Sequence, residues 1–521
     1  MSDAVEKIRN NVKRISENYF VDPSWNGVGD RRVHNYNLAM LGVTYAMGYN
    51  ALLQGEPGFG KTTACKIILS THGGLPFDLF EAAQIQGHPE QTKEEMAHRP
   101  YYPALSEEEQ VVYQPAIYLT GLLMDEISRL PPGKQSFFLN AVETGRWSYL
   151  GSSVYFGKQP FFATTNYEDS GNHKILPPLL DRFGASLEFG RIPGPRARLL
   201  EARKKQKELC NPKLTNEILN FLNDRTNGGK KYALEVEYEK RKFVLAKAKE
   251  YGETTLANLG LQRLDEKDVM QFREAIEGLG LSGEADIYLD FLEPELNVDQ
   301  LNGQKRRSDI YMPCANTRPI ASIYLVGAGL SNRGRPDLEN YARALALYMG
   351  DKEVTRAHVD AVLPHVLSHR LDFQEDFKKN FRGTPRVMRV TGVGENEQTD
   401  LVRRLVECLE ANWTGNKWPI MDPGQKALEA TKAGKKEKDE KREKREDAVE
   451  RRGVYQQVLL LNDFALGEKQ SENQVQEAEI LLERFDEDPY NVDHPYVREF
   501  MMLNYGTLDG RRRKRNGKKE R

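Results

Sequence analysis

The spacing of hydrophobic residues predicts that the first part of this chain is helical. Apolar residues recur at helical intervals near the N-terminus and again within residues 35–49. The N-terminal set comprises Val5, Ile8, Val12 and Ile15. Polar residues dominate residues 87–113, which are therefore expected to form a long surface loop or an insertion.

Short apolar runs predict strands that lie between these helical segments. The runs at residues 51–54, 121–124 and 160–165 have the length and composition of strands buried in a parallel sheet. Residues 77–83 predict a further strand by the same argument. The pattern therefore predicts an α/β fold with a parallel sheet.

The first of these strands leads into a glycine-rich stretch with a specific spacing. Residues 55–63 are Gly55, Glu56, Pro57, Gly58, Phe59, Gly60, Lys61, Thr62 and Thr63. Residues 55–62 match the phosphate-binding pattern G-x-x-x-x-G-K-[ST], and Thr63 begins a following segment without helix breakers. Glycines let backbone N–H groups surround phosphate oxygens, and the helix N-terminus adds partial positive charge. Lys61 is thus expected to contact the β- and γ-phosphates of a bound nucleotide, and Thr62 to ligate Mg²⁺.

Polar residues also stand at the ends of the other two predicted strands. Asp125 and Glu126 follow one strand, and Asn166 follows the other. Because ligands of open α/β sheets bind at the carboxyl ends of strands, these residues are expected to meet the phosphate loop in one crevice. Asp125 would hold the Mg²⁺ shell, and Glu126 would orient and deprotonate the attacking water. Asn166 would hold that water from the opposite side, with an ordinary turn residue as the alternative.

Length and composition narrow the class of protein. The 521 residues suggest about three domains. With 75 Lys and Arg against 77 Asp and Glu, the net charge of -2 gives no overall attraction to nucleic acid or anionic membranes. The four cysteines lie far apart, which argues against a disulfide framework or zinc site and favours the cytoplasm. The N-terminus is polar, unlike a signal peptide, and no apolar run approaches the roughly 20 residues of a membrane span.

Taken together, the spaced motifs resemble AAA+ ATPases, and more narrowly the MoxR branch. The similarity covers about residues 28–372 and is carried by several short runs. These are residues 123–129 with their two acids, the helix and hairpin of residues 141–156, residues 163–166 as sensor 1, residues 180–183 as the arginine-finger segment, residues 315–319 as sensor 2, and residues 366–371 as the end of the lid. The magnesium-chelatase ATPase subunit shares much of this pattern. The chain departs from the MoxR pattern at Thr165, where glutamine is usual, and at Asn316 and Thr317, where Ser-Pro is frequent.

The resemblance implies an architecture and a mechanism. It implies a three-layer P-loop core with a parallel sheet, then an α-helical lid and a mainly helical C-terminal extension. Proteins of this kind form rings, usually of six subunits, in which Arg182 would act in trans on the neighbour's γ-phosphate. Arg318 would contact the γ-phosphate in cis and couple hydrolysis to lid movement. The family's chaperone-like role implies a protein client, which the sequence does not identify, and often a partner with a von Willebrand factor A domain.

We therefore expect four segments along the chain. Residues 1–195 would form the nucleotide-binding core, residues 196–262 a charged helical insertion, residues 263–375 the lid with sensor 2, and residues 376–521 a charge-rich helical extension. The extension ends in a basic stretch at residues 511–519, which is compatible with nucleic-acid binding or with a solvated tail.

Parts of the sequence are compatible with other functions and sites. A nucleic-acid-directed AAA+ motor, a chelatase-like ATPase subunit and a non-hydrolysing ring scaffold remain alternatives to the MoxR-like interpretation. His365 and His369, four residues apart, could bind a metal, although a structural role is favoured. Residues 329–334 read as a loop rather than as a second nucleotide site.

Overall fold

The computed structural model divides the chain into two compact units. It describes residues 3–90, 98–101, 110–149, 152–166, 173–190, 196–223, 233–297, 330–373, 397–414, 449, 452–467, 470–487, 492 and 495–519. The first unit comprises Met1–Gly280, Asn332–Arg370 and Thr384–Asp400. The second comprises Leu281–Ser331, Leu371–Gly383 and Leu401–Arg521.

A five-stranded parallel sheet is the centre of the first unit. Its strands are β3 (Asn50–Gln54), β4 (Ile85–Gln86), β7 (Leu122–Asp125), β10 (Phe161–Thr165) and β11 (Ala185–Glu188), in the spatial order β11-β3-β10-β7-β4. Adjacent strands pair in parallel. Strands β3 and β10 are buried along almost their whole length, which explains why both read as continuous apolar runs. The three strands predicted around the candidate site are confirmed.

Three short antiparallel pairs accompany this sheet. They are β1 (Trp25–Val28) with β2 (Arg31–His34), β5 (His98–Tyr101) with β6 (Gln110–Tyr113), and β8 (Arg146–Tyr149) with β9 (Ser152–Tyr155). The β8–β9 pair is the β-hairpin that the resemblance implied within residues 141–156. The polar stretch at residues 87–113 includes β5 and β6, so its described part is not only loop, while residues 91–97 and 102–109 lie outside the described residues.

Along the chain, helices precede, separate and follow the strands of the sheet. The predicted α/β fold class is confirmed. Up to the end of the sheet they are α1 (Asp3–Asn18), α2 (Tyr36–Met47), α3 (Lys61–Gly73), α4 (Phe77–Ala83), α5 (Pro132–Gln135), α6 (Phe138–Thr144) and α7 (Pro177–Leu180). After it follow α8 (Arg196–Lys205), α9 (Pro212–Asn223), α10 (Ala233–Tyr251) and α11 (Glu266–Gly278). Helices α1 and α2 match the two helical patterns predicted before the phosphate loop.

The strand predicted at residues 77–83 is wrong, because these residues form helix α4. Phe77, Phe80 and Ala83 are buried at three-residue intervals, which is a helical rather than a strand period. Pro76 fixes the turn into the helix, and Asp78 places a negative charge in its first turn. The edge strand of the sheet is instead the two-residue β4, which pairs with β7.

The helical segment at residues 196–262 packs against the core through helix α10. Arg241 donates from Nη1 to the backbone oxygens of Tyr118 and Leu119, at 2.5 Å in each case. Tyr238 donates from Oη to the backbone oxygen of Tyr155 in strand β9, at 3.1 Å. Burial lowers the pKa of Arg241 to about 10, so this guanidinium remains charged at neutral pH. Helix α10 therefore contacts both the segment that leads into β7 and the β8–β9 hairpin.

Two helices of the segment predicted as the lid, α13 (Gly334–Met349) and α14 (Arg356–Leu367), pack against each other in the first unit. The hydroxyl oxygen of buried Tyr341 lies 3.0 Å from Thr44 Oγ1 of α2, and Arg9 Nη2 of α1 donates to the backbone oxygen of Leu347 at 3.0 Å. Both contacts attach helix α13 to the N-terminal helices.

His369 Nε2 donates to the backbone oxygen of Phe183 at 2.7 Å, and burial lowers the pKa of His369 to about 3. A neutral histidine that donates to a carbonyl supports a structural role for His369. No group of three or more metal-ligating side chains occurs in the part of the chain that the structure describes.

The described part of the second unit consists mainly of helices. Its helices are α12 (Gly283–Asn297), α15 (Glu397–Thr414, of which residues 401–414 belong here), α16 (Val454–Leu466), α17 (Glu472–Glu487) and α18 (Pro495–Lys519). Trp413 is buried against Tyr288, Phe291 and Tyr455. Among the helices that the structure describes in either unit, none is long and apolar enough to cross a membrane.

A stack of three phenylalanines fixes the elements at the amino end of β10. Phe161, the first residue of β10, stacks on Phe138 of α6 with ring centroids 6.2 Å apart and on Phe183 with centroids 5.6 Å apart. All three side chains are buried. The stack therefore attaches helix α6 and the segment before β11 to the same strand.

We predict that Phe161→Ala lowers the free energy of unfolding by about 3–5 kcal/mol, because it leaves a cavity between two buried rings. Urea denaturation followed by circular dichroism measures this change. Phe161→Leu keeps most of the buried volume and serves as the matched control, so an equal loss in both variants would contradict the stacking argument.

Candidate active site

The phosphate loop connects strand β3 to helix α3 in the predicted way. Residues 55–60 lie between Gln54 and Lys61, and Gly55, Gly58 and Gly60 all have positive φ angles, of 148°, 84° and 85°. A Cβ on Gly55 would lie 2.2 Å from the backbone oxygen of Phe189, whereas a Cβ on Gly58 would meet nothing within 4 Å. The loop thus needs glycine for its backbone shape and has open space beside Gly58. Together with the N-terminus of the 13-residue helix α3, this cradle fits a nucleotide phosphate.

Lys61 is buried at the start of helix α3 and reaches back across the loop. Its Nζ donates to the backbone oxygens of Gly55 and Glu56 at 2.6 and 2.8 Å, and to Asn166 Oδ1 at 2.8 Å. Burial lowers the pKa of Lys61, while the charges of Asp125 and Glu126 raise it. The ammonium group therefore lies where the loop, strand β10 and the two acids converge.

The two residues predicted to hold Mg²⁺ are in direct contact. Thr62 Oγ1 donates to Asp125 Oδ1 at 2.7 Å. Carboxylate and hydroxyl oxygens are the hard ligands that Mg²⁺ prefers, and Mg²⁺ normally completes its shell with phosphates and water. The donor set therefore fits this metal.

Thr164 is a site residue that the sequence reasoning missed. Its Oγ1 donates to Asp125 Oδ1 at 2.5 Å and accepts from the backbone N–H of Glu126 at 2.9 Å. The signal was present, because Thr164 lies two residues before Asn166, at the end of β10, where alternate residues of an extended chain point to the same face. One hydroxyl group thus fixes both acids.

Glu126 has an unusual backbone conformation and a side chain that is held on both oxygens. Its φ and ψ of 55° and 51° are left-handed, which is uncommon for a non-glycine residue. Oε1 accepts from Asn166 Nδ2 at 3.0 Å, and Oε2 pairs with Arg129 Nε at 2.9 Å. Because Asn166 also binds Lys61, its amide links the lysine of the phosphate loop to the predicted base. Arg129 lies in the run that carried the resemblance, but no role had been predicted for it.

Arg182 belongs to a different group of contacts. It donates from Nε and Nη2 to Glu143 Oε2, at 3.0 and 2.5 Å, and from Nη1 to the backbone oxygen of Pro178 at 2.6 Å. The structure therefore brings together Lys61, Thr62, Asp125, Glu126 and Asn166, and it places Arg182 beside Glu143 instead.

The lid contributes an arginine that the sequence reasoning did not select. Arg318 lies outside the described residues. The helix α13 begins at Gly334, and Arg333 is its N-cap residue. Arg333 bonds to Glu143 Oε1 and, at 2.9 Å, to Asp181 Oδ2. An arginine directly before the apolar pattern of a lid helix was the available signal, and residues 329–334 had been read only as a loop.

We predict that Thr164→Val removes most of the Mg²⁺-dependent part of nucleotide affinity, because Asp125 then loses one of two hydroxyl donors and the Glu126 N–H loses its acceptor. The Mg²⁺-dependent part is the difference between the nucleotide affinity titrated with Mg²⁺ and the affinity titrated with a chelator. Thr164→Ser keeps the hydroxyl group and should bind like the wild type. Equal loss in both variants, or none in either, would contradict the assignment.

Residues 325–387 match the family model described as AAA lid domain. Among the solved structures that match, a protein of Cytophaga hutchinsonii described as a "putative ATPase" has a TM-score of 0.47 and 16% identity, covering 78% of this chain and 96% of that one. No curated protein matches this chain. The lid match begins after Arg318 and includes Arg333 and both lid helices. Together with the parallel sheet and its phosphate loop, it supports an AAA+ ATPase.

Proposed function

We propose that this chain is a MoxR-like AAA+ ATPase that hydrolyses ATP to remodel or activate a protein client. The observation that carries the proposal is the continuous set of hydrogen bonds from Lys61 through Asn166 to Glu126. It joins a phosphate-binding cation to a carboxylate that can act as a base, at the carboxyl ends of adjacent parallel strands. Hydrolysis of a terminal phosphate requires groups that stabilise the phosphate charge and a residue that positions the attacking water.

Each residue has a defined task in this mechanism. The backbone N–H groups of the loop and Lys61 bind the phosphates and stabilise their charge. Thr62 and Asp125 would hold Mg²⁺, which when bound neutralises charge on the β- and γ-phosphates. Glu126 accepts the proton of the attacking water, and Asn166 orients both that water and the Glu126 carboxylate.

The position of Arg182 supports action on a second copy of the chain. The nucleotide site lies at the carboxyl ends of β3 and β10, next to Gln54 and Thr165. Arg182 lies at their amino ends, where Asn50 Nδ2 donates to its backbone oxygen at 2.8 Å. Strand β3 has five residues, so its first and last residues are four steps apart, a rise of about 13 Å. Arg182 is therefore better placed to reach a nucleotide in a neighbouring subunit, as a ring of six would provide.

A protein client is the better supported of the substrate classes. The basic stretch at residues 511–519 lies within α18, and its residues Arg512, Arg513 and Arg515 form ion pairs inside the second unit. Arg512 pairs with Asp486 and Asp509, at 2.6 and 3.0 Å, and Arg515 with Glu472 at 2.6 Å. Cations that are already paired with carboxylates neutralise fewer phosphates, so fewer counterions are released from a nucleic-acid backbone on binding. The resemblance to MoxR proteins further supports a partner with a von Willebrand factor A domain.

We predict that Glu126→Gln lowers kcat for ATP by at least about 100-fold, because the amide cannot accept the proton of water. Steady-state phosphate release measures kcat, and a nucleotide titration should show that affinity for ATP is kept. Turnover equal to the wild type would remove Glu126 from the mechanism, and no turnover in either protein would favour a non-hydrolysing scaffold.

We predict that mixing Arg182→Ala with Glu126→Gln restores part of the activity that each variant lacks alone. A mixed ring contains interfaces in which an intact Glu126 of one subunit faces an intact Arg182 of the next. Phosphate release is measured across mixing ratios at constant total protein. A mixture no more active than the average of its components would contradict action in trans.

A further inference from the structure

Glu143, in helix α6, binds two arginines from different parts of the first unit. Its Oε2 accepts from Arg182 Nε and Nη2, at 3.0 and 2.5 Å, and its Oε1 accepts from Arg333 Nη2. Arg182 comes from the segment before strand β11, and Arg333 comes from the start of lid helix α13. One carboxylate thus holds the predicted finger arginine and the lid arginine side by side.

The backbone around Glu143 and Arg182 is fixed to the sheet. Asn50, the first residue of β3, donates from Nδ2 to the backbone oxygen of Arg182 at 2.8 Å and to that of Val142 at 3.4 Å. The backbone N–H of Gly184 donates to the backbone oxygen of Asn50 at 2.9 Å. A rigid support of this kind is what a precisely placed charged pair requires.

A second carboxylate completes the attachment of the lid. Asp181 Oδ2 accepts from Arg333 Nη1 at 2.9 Å, and Asp181 Oδ1 lies 3.8 Å from Arg370 Nε. Arg370 in turn donates to Asp337 of helix α13.

Glu143 is charged despite its partly buried position. Burial raises the pKa of Glu143, but the hydrogen bonds and charges of Arg182 and Arg333 outweigh this effect, so the pKa of Glu143 lies below its ordinary value. Glu143 is therefore ionised at neutral pH, and its charge offsets the repulsion between the two guanidinium groups.

The contacts of Arg182 leave it able to bind a further anion. A guanidinium group has five N–H donors. The recorded bonds to Glu143 use Nε and Nη2, and the bond to Pro178 uses one N–H of Nη1. Two donors, one on each Nη, are left by these contacts. Glu143 thus orients the guanidinium group without using its whole binding capacity.

We propose that Glu143 is a positioning residue that holds Arg182 and Arg333 as a pair directed at one phosphate, that of ATP bound by a neighbouring copy of the chain. The inference rests on the proposed ATPase function and adds a residue to which no role had been given. It also assigns the lid arginine Arg333 to the same side of the subunit as Arg182, because both guanidinium groups share one carboxylate at the amino ends of the strands. A merely structural ion pair at Glu143 is the competing explanation.

We predict that Glu143→Gln lowers kcat about tenfold or more while KM for ATP changes little, because the pair acts on the transition state rather than on binding within the same subunit. Glu143→Asp keeps the charge and should fall between Glu143→Gln and the wild type. Glu339→Gln is the matched control, because it neutralises the carboxylate of another lid ion pair, with Arg343 at 2.6 Å. A wild-type kcat in Glu143→Gln, or the same loss in Glu339→Gln, would overturn the proposal.

Combined substitutions separate positioning from a structural effect. If Glu143 acts through the two arginines, Glu143→Gln should cause no further loss of kcat in the Arg182→Ala, Arg333→Ala double variant. Multiplicative losses would show that Glu143 acts on something else and would overturn the proposal.

A readout that needs no turnover keeps this proposal distinct from the proposed function. Phenylglyoxal modifies exposed arginines, and mass spectrometry of peptides measures the rate at each one. Glu143→Gln should raise the modification rates of both Arg182 and Arg333, with rates at Arg31 unchanged. Unchanged rates at Arg182 and Arg333 would overturn the shared contact even in an active ATPase, whereas wild-type turnover equal to that of Glu126→Gln would refute the ATPase mechanism alone.

Discussion

The parallel register of β3, β10 and β7 is the constraint on which the rest of the structure depends. Thr165 pairs with Gln54 and Ala163 pairs with Met124, so β3 and β10 end level with each other and β7 ends one residue before them. The phosphate loop, Asp125 and Asn166 are therefore brought to one edge of the sheet. The register also explains why Thr164 lies beside Asp125 and can bond to it. A slip of one residue would turn Thr164 to the opposite face and separate the two acids from the loop.

The same strands support a second charged centre at their other ends. Asn50 and Phe161, the first residues of β3 and β10, hold helix α6 and the segment that carries Arg182. Glu143 and Arg182 are thus separated from the phosphate loop by the length of a strand. One layer of sheet therefore connects the candidate nucleotide site with the two arginines that we propose act on a neighbour's nucleotide. In this arrangement the lid, through Arg333, would sense the adjacent subunit's site.

The sequence predicted the parts of this structure that depend on local pattern. The strands around the phosphate loop are apolar runs, and the loop itself has a fixed motif spacing. The structure contains the loop and these strands at the predicted positions. Residues 77–83 were misassigned, because a seven-residue apolar segment fits a strand or a helix equally well until its buried positions are known. Thr164 and Glu143 were missed because their partners lie about 40 residues away in sequence, at Asp125 and Arg182. Such pairings are set by strand register and by helix placement, which one sequence does not contain.

The most direct measurement is an experimental structure of Glu126→Gln assembled with ATP and Mg²⁺. The variant is expected to retain ATP and so to preserve the interface between neighbouring subunits. We expect Arg182 and Arg333 of one subunit to bind the γ-phosphate held by Lys61 of the next, with Glu143 still bonded to both. An assembly in which neither arginine approaches a neighbour's nucleotide, or in which Arg333 contacts the ATP of its own subunit, would contradict this account.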